Sequence, residues 1–202
     1  KKIILCDGVG DILAEGVMRA AKKLSGSLED MAVYVKQGNA PHIHDSRTRW
    51  GTLFTQVIAN TASQEGMDMT GRANPELEIL EPTREPDAYL AEVQAKTGPK
   101  RQFEECLAFC YFQACSLQHM VDTLNVLTGG DFTSYECLAI GERTINLLRM
   151  YNIREGLDMQ HDAYSRRLGQ SPKDGPGKGR SMNPTFKEVR DAYYRAMGWD
   201  VK

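Results

Sequence analysis

"LTGGDFTSYECLAIGERTINLLRMYNIREG", residues 127–156, decides the fold class. Thr133 with Glu136 three residues on is a capping box, in which hydroxyl and carboxylate satisfy the free amides at a helix start. Beyond it Tyr135, Leu138, Ile145, Leu148 and Tyr151 recur at helical spacing, predicting one long helix to about Glu155. The same device is expected at Thr185 and Glu188, ahead of Phe186, Val189, Tyr193 and Met197. Working back, "PDAYLAEVQAKTG" (86–98) reads as a short helix ended by Gly98, and residues 101–127 supply one or two more. "TRWGTLFTQVIANTAS" (48–63) turns Trp50, Leu53, Phe54, Val57 and Ile58 to one face. "GDILAEGVMRAAKKLSG" (10–26) reads as a single helix with Ile12, Leu13, Val17, Ala20, Ala21 and Leu24 inward, stopped at Gly26. Two-residue alternation is scarce and no repeat is present, so the expected architecture is all-α, arranged as two helical lobes.

Between these helices lie three irregular stretches. "SLEDMAVYVKQGNAPHIHDSR" (27–47) loses periodicity around Gly38 and Pro41. Residues 64–86 are polar and hold three of the eight prolines, which predicts a long surface connection that does something or wraps a partner. "GQSPKDGPGKGRSMNP" (169–184) reads as a mobile loop.

Composition narrows the function classes. A chain of 202 residues with 41% apolar and 26% charged residues buries one good-sized core or two small ones. The net charge of −2, spread along the chain, gives no electrostatic case for nucleic acid. No apolar run approaches membrane-spanning length, and "KKIILCDG" is too short in its apolar part for a signal peptide. The first residue is not Met, which suggests a processed product or an excised piece. Five cysteines (6, 106, 110, 115 and 137) without scaffold spacing suit a reducing, cytoplasmic setting.

"FEECLAFCYFQACS" (103–116) concentrates three of those thiols. On a helix Cys106 and Cys110 share a face, with Cys115 turned away. Structural metal sites usually pair Cys-x-x-Cys, which is absent, so packing explains these thiols better than ligation. "PHIHD" offers His42, His44 and Asp45 but no clear third ligand, because His119 and His161 fall on other elements. "GPGKGR" lacks the spacing, the hydroxyl and the preceding strand of a phosphate loop. Arg149 and Arg154 read as a solvated helix edge, with Glu142 and Glu155 as candidate partners. The residues alone support a soluble helical domain.

Several segments, taken in order, resemble the C-terminal half of the tungsten-pterin aldehyde:ferredoxin oxidoreductase family. "GDILAEGVMRAAKKLSG" is similar to its Gly-Asp-x-Leu-Ala-Glu-Gly helix, and "VKQGNAPHIHDSR" to its Val-Lys-Gly…Pro…His-Asp-Pro-Arg loop. "LTGGDFTSYECLAIGERTINLLRMYNIREG" resembles its Thr-Gly…Gly-Glu-Arg…Leu-x-Arg…Asn-x-Arg-Glu-Gly stretch, and "FKEVRDAYYRAMGWD" its Tyr-Tyr…Gly-Trp-Asp ending. The likeness is collinear over nearly the whole chain.

The resemblance implies a division at residue 86. Residues 1–86 would end a middle helical domain with its long connection, and residues 87–202 would form the C-terminal helical domain. It also separates the cysteines. The family's Asp-x-x-Gly-Leu-Cys segment supplies pterin contacts and the last of four thiolates on a [4Fe–4S] cluster. The matching residues here are Glu105-Cys106-Leu107-Ala108-Phe109-Cys110, which makes Cys110 the implied ligand and Glu105 an implied pterin contact. Cys106 and Cys115 stay core residues. His44, Asp45 and Arg47 are implied to face the cofactor or to hold their loop in shape.

Three departures stand out. Glu105 replaces Asp, and Ala108 replaces a Gly whose backbone is expected to approach the cofactor closely. Met69 stands where the family often carries a histidine near the tungsten, and a thioether cannot exchange protons as an imidazole does. The last departure suits a divergent member acting on acyl-CoA or aromatic substrates, of the benzoyl-CoA reductase-like branch. The family's other three cluster cysteines would lie ahead of Lys1, so this chain reads as a fragment expected to retain neither the tungsten-bis-pterin nor the cluster. The implied partners are the remainder of the same polypeptide and ferredoxin or another electron-transfer protein. A homo-oligomer is compatible with this reading, while nucleic acid and membrane are not expected. The rival expectation is a non-catalytic helical module that packs on a partner chain.

Overall fold

A computed structural model describes residues 1–24, 26–36, 38, 45–60, 73–81, 83, 85–110 and 115–201. Among these residues the chain forms nine α-helices, a few 3-10 turns and two isolated β-bridges, an all-α architecture as expected. No helix among them is long and apolar enough to cross a membrane.

The longest helix, α7 (Ser134–Arg154), starts at the predicted capping box: the Thr133 amide donates to Glu136 Oε2 at 2.8 Å, and the Glu136 amide to Thr133 Oγ1 at 3.3 Å. Its buried face is Cys137, Gly141, Ile145, Arg149 and Asn152, while Tyr135 and Tyr151 of the expected stripe are exposed. The reason lies in its neighbour, α5 (Ala88–Cys106), which crosses it so closely that a Cβ on Gly141 would overlap the Pro99 carbonyl oxygen. A Cβ on Gly98 would sit 3.4 Å from Ile145 Cδ1. The crossing selects the smallest side chain rather than the most apolar one.

That contact also explains why α5 does not stop at Gly98, as the sequence suggested. Gly and Pro in a helix interior cost about 1 and 3 kcal/mol. Leu90, Val93 and Phe103, all fully buried on α5, return about 1.5–3 kcal/mol each. Burial exceeds propensity, and the helix runs through Pro99 for 19 residues.

Two cores lie along α5. The first packs its N-terminal half against α4 (Trp50–Ile58) and α9 (Phe186–Ala196), through Leu53, Phe54, Val57, Val189 and Tyr193. Phe54 and Tyr193 meet edge-on with ring centroids 5.6 Å apart. The second packs Val93 and Phe103 against α6 (Leu117–Thr128), Cys137, Leu77 and Ile79. These last two correct the reading of 64–86 as wholly surface, for both are buried. The Asn74 and Ile79 backbones pair in a tight bridge that presents them.

The N-terminal segment departs most. Instead of one helix it forms α1 (Val9–Ala14), α2 (Val17–Leu24) and α3 (Ser27–Met31), with Gly16 at φ +83° breaking the first from the second. Only Ala20 and Ala21 of the expected face are buried. The second predicted box also fails: Thr185 has helical rather than extended backbone and makes no capping bond, although Val189, Tyr193 and Met197 are buried as expected. After α8 (Arg166–Gly169), the Gly- and Pro-rich loop is seated rather than free. Arg180 donates twice to the Glu85 carboxylate (2.8 and 2.9 Å) and stacks 4.3 Å over Trp50.

Gly141→Ala is expected to lower unfolding stability by about 1–3 kcal/mol through overpacking against Pro99. Urea unfolding of the variant checks this, and an unchanged midpoint would show that the helices can separate freely.

Candidate functional site

The Cys110 loop leaves α5 through a Schellman turn. The Phe109 amide donates to the Glu104 carbonyl (3.1 Å) and the Ala108 amide to the Glu105 carbonyl (3.0 Å), with Ala108 at φ +57°. The same turn ends α7, where the Leu157 amide reaches the Asn152 carbonyl at 2.8 Å and Gly156 holds the left-handed position at φ +88°. It also ends α9, where the Trp199 amide reaches the Tyr194 carbonyl at 2.8 Å with Gly198 at φ +70°. Two of the three ends use Gly and the third uses Ala108. This gives a local reason for a glycine at the Ala108 position: the backbone there must adopt a left-handed conformation.

Cys110 follows as an exposed thiol. Because α5 ends at Cys106, the expectation that Cys106 and Cys110 share a helix face does not hold. Cys106 is exposed rather than in the core, with its sulfur 3.7 Å from Thr144 Oγ1. Cys115 is half-buried against the second core, and Cys137 is fully buried. Burial pushes the Cys137 thiol pKa above its ordinary value, which suits packing rather than ligation. Glu105 is exposed, with its carboxylate 3.5 Å from Arg101.

In the second candidate loop, His44 lies outside the described residues, as does Met69. Asp45 and Arg47 hold each other. The Arg47 Nε donates to both carboxylate oxygens (2.9 and 3.0 Å), and the Arg47 amide donates to Asp45 Oδ1 at 3.0 Å to start a short 3-10 turn. The hydrogen bonds from the Arg47 side chain hold the Asp45 carboxyl below its usual range. The other end of this loop is Lys36, whose amide donates to the Ala163 carbonyl at 2.8 Å.

Lys36 belongs to a buried cluster that sequence reasoning missed. Its ammonium lies 2.8 Å from Asp162 Oδ1, and Arg149 Nη1 lies 3.1 Å from Asp162 Oδ2. Tyr194 donates its hydroxyl to Asp162 Oδ2 at 2.5 Å while accepting from Arg149 Nη2. Asp162 is 1% exposed, and burial beside that carboxylate drives the Tyr194 phenol well above its ordinary pKa. Arg149 was read as a solvated edge paired with Glu142 or Glu155. Its place four residues from Ile145, on the stripe that includes Gly141, was the available signal. Asp162 offers none, since it lies in a short segment without periodicity.

A [4Fe–4S] cluster takes four thiolates. Among the described residues no three His, Cys, Asp or Glu side chains gather as a metal site. Cys110 is an exposed thiol one residue beyond the turn.

Comparison with known proteins gives a consistent picture. Residues 1–202 match the family model described as aldehyde ferredoxin oxidoreductase, domains 2 & 3. The tungsten-containing aldehyde ferredoxin oxidoreductase of Pyrococcus horikoshii is 28% identical over 98% of this chain and 33% of its own length. That of Pyrococcus furiosus is 39% identical over 39% of the chain and 13% of its length. An aliphatic sulfonate oxidoreductase, WOR-like subunit, from Pyrococcus furiosus is 28% identical over 98% of the chain and 31% of its length. The chain thus spans about a third of the length of the first of these relatives.

Three substitutions check this geometry. Ala108→Gly removes a left-handed Cβ and is expected to raise stability by about 1 kcal/mol, read as a higher urea midpoint; a lower midpoint would contradict the turn. Asp162→Asn leaves buried cations without a countercharge and is expected to cost about 3–5 kcal/mol. Tyr194→Phe removes one charge-assisted hydrogen bond and should cost about 1.5–3 kcal/mol. Equal losses in the two variants would show that the carboxylate is not the centre of the cluster.

Proposed function

The chain belongs to the aldehyde ferredoxin oxidoreductase family, matching the model of its domains 2 & 3 over residues 1–202, and from that premise we propose that it serves a tungsten- or molybdenum-pterin, [4Fe–4S] oxidoreductase. The whole enzyme acts on aldehydes or acyl-type substrates and passes electrons to ferredoxin or another electron-transfer protein. When bound, the metal-pterin and cluster supply two-electron chemistry and single-electron transfer, and the protein binds, orients and shields them.

In this reading Cys110 donates one of four cluster thiolates, and the observation that carries it is an exposed thiol set one residue past the Schellman turn of α5. Glu105 is the weaker nomination, for a pterin contact. Asp45 and Arg47 keep the second loop in shape, and His44 is nominated with them, to face the cofactor or to hold the loop in shape. In the same reading residues 1–86 end the middle helical domain and residues 87–202 form the C-terminal helical domain. Met69 in place of an imidazole favours an acyl-type or aromatic substrate over a simple aldehyde. A relative named as an aldehyde oxidoreductase and one named as an aliphatic sulfonate oxidoreductase each share 28% identity with this chain over 98% of its length.

One observation favours a second reading, a helical module whose purpose is packing. Ile3, Ile4, Leu5, Val9, Leu13 and Val17 are all exposed, a concentration of aliphatic surface on the first helices that suits a protein partner. The remainder of the same polypeptide would satisfy both readings.

Metal analysis of the full-length protein separates them. About four iron atoms with tungsten or molybdenum, and loss of iron on Cys110→Ser but not on Cys106→Ser, is the expected result. Full iron occupancy in Cys110→Ser would remove Cys110 from the cluster.

A further inference from the structure

The short turn that carries Asp162 into its buried cluster contains an imidazole with two conflicting neighbours. Met159–His161 form a 3-10 turn capped by Asp158, whose Oδ1 accepts from the Gln160 amide at 2.8 Å. His161 Nδ1 lies 3.0 Å from the Asp158 amide nitrogen and 2.9 Å from Asp158 Oδ1. One ring nitrogen therefore faces a hydrogen-bond donor and an anionic acceptor at the same time.

No single protonation state satisfies both. A neutral imidazole that accepts at Nδ1 carries its proton on Nε2. In that state the Asp158 amide is satisfied, while Nδ1 and Oδ1 oppose each other as two acceptors. A second proton, taken from solvent, makes Nδ1 a donor. The ring then pairs with Asp158 Oδ1 in a charge-assisted bond, and the Asp158 amide loses its acceptor. The same distances fit either state, so the change of partner needs a proton and little movement.

The turn is joined directly to the residues around Asp162. The Asp162 amide donates to the Met159 carbonyl (3.2 Å), the Ala163 amide to the His161 carbonyl (2.9 Å) and the Lys36 amide to the Ala163 carbonyl (2.8 Å). On α9, Arg190 donates to the Met159 carbonyl at 3.3 Å and pairs with Asp191, which also pairs with Lys187. Arg154 and Glu155 pair at the end of α7, and Lys36, Arg149 and Tyr194 surround the Asp162 carboxylate. Among these residue types and His161, only the imidazole ordinarily changes charge between about pH 5 and 8.

We propose that His161 is a proton-operated switch in the turn that carries Asp162. Neutral, it closes the turn by accepting from the Asp158 amide; protonated, it pairs with the Asp158 carboxylate and releases that amide. The inference is independent of the cofactor role assigned to Cys110.

Hydrogen exchange resolved to single amides tests it in the full-length protein at about pH 7.5 and about pH 5.5, a range that spans imidazole titration. Rates are corrected for the intrinsic effect of pH on exchange. The Asp158 amide is expected to exchange roughly three- to tenfold faster at the lower pH, the equivalent of one hydrogen bond. The Gln160 amide, held by Asp158 Oδ1, should change little. In His161→Gln, whose side chain can accept but does not titrate, the Asp158 amide is expected to show no pH response. Equal or slower exchange of Asp158 at the lower pH overturns the switch. A rise shared equally by Gln160 also overturns it, because the whole turn would then be opening. So does a rise of the same size in His161→Gln, which would place the titrating group elsewhere. The two pH values compared in the unaltered protein decide the matter if His161→Gln does not fold.

Discussion

Asp162 is the constraint on which the arrangement turns. A carboxylate at 1% exposure is tolerated only when its charge is matched, and here Lys36, Arg149 and Tyr194 converge on its two oxygens. These partners come from the extended segment before the His44 loop, from the middle of α7 and from α9. Around them Val35 pairs with Tyr164, the Lys36 amide bonds to Ala163 and the Ser165 amide to Tyr34. Trp199 closes the group, stacking on Arg149 at 5.2 Å and donating to Asn146 at 2.7 Å. Buried ion pairs add little net stability compared with apolar packing, but they tolerate only one geometry. Here the effect is to lock four separate segments into one register.

From that lock the described segments flanking the two candidate loops inherit their positions. Lys36 precedes the first and the Asp45–Arg47 pair follows it. The other leaves α5, whose own position is fixed against α7 by the Gly141 contact. Most residues of the family-like motifs in this chain do structural work. Gly141 permits a crossing, Arg149 neutralises Asp162, Asn152 donates to the Asn60 carbonyl at 2.7 Å, and Gly156 and Gly198 end helices.

Legibility in the sequence followed the range of each interaction. The Thr133–Glu136 box was readable because both halves lie within one turn, and α4 because all five of its predicted apolar residues are buried. The course of α5 through Gly98 and Pro99 was not, since local propensity argues for a stop and only the distant α7 supplies the reason to continue. Of the expected α7 face Ile145 is buried and Leu138 packs on the second core, while Tyr135 and Tyr151 are exposed for the same cause, a glycine chosen by its partner. Cys106 looked like core because a helix within residues 101–127 was expected to carry it; the Schellman turn ends α5 there and leaves the thiol exposed. The resemblance singled out Cys110 where spacing alone could not.

The account makes Cys110 the one thiol among five that binds a cluster, with Cys6 and Cys106 as exposed bystanders. Site-resolved alkylation of the full-length protein, compared before and after removal of iron, tests this most directly. Cys110 should resist alkylation in the iron-loaded protein and react once iron is removed, while Cys6 and Cys106 react in both states. Alkylation of Cys110 at the same rate with and without iron would contradict the assignment.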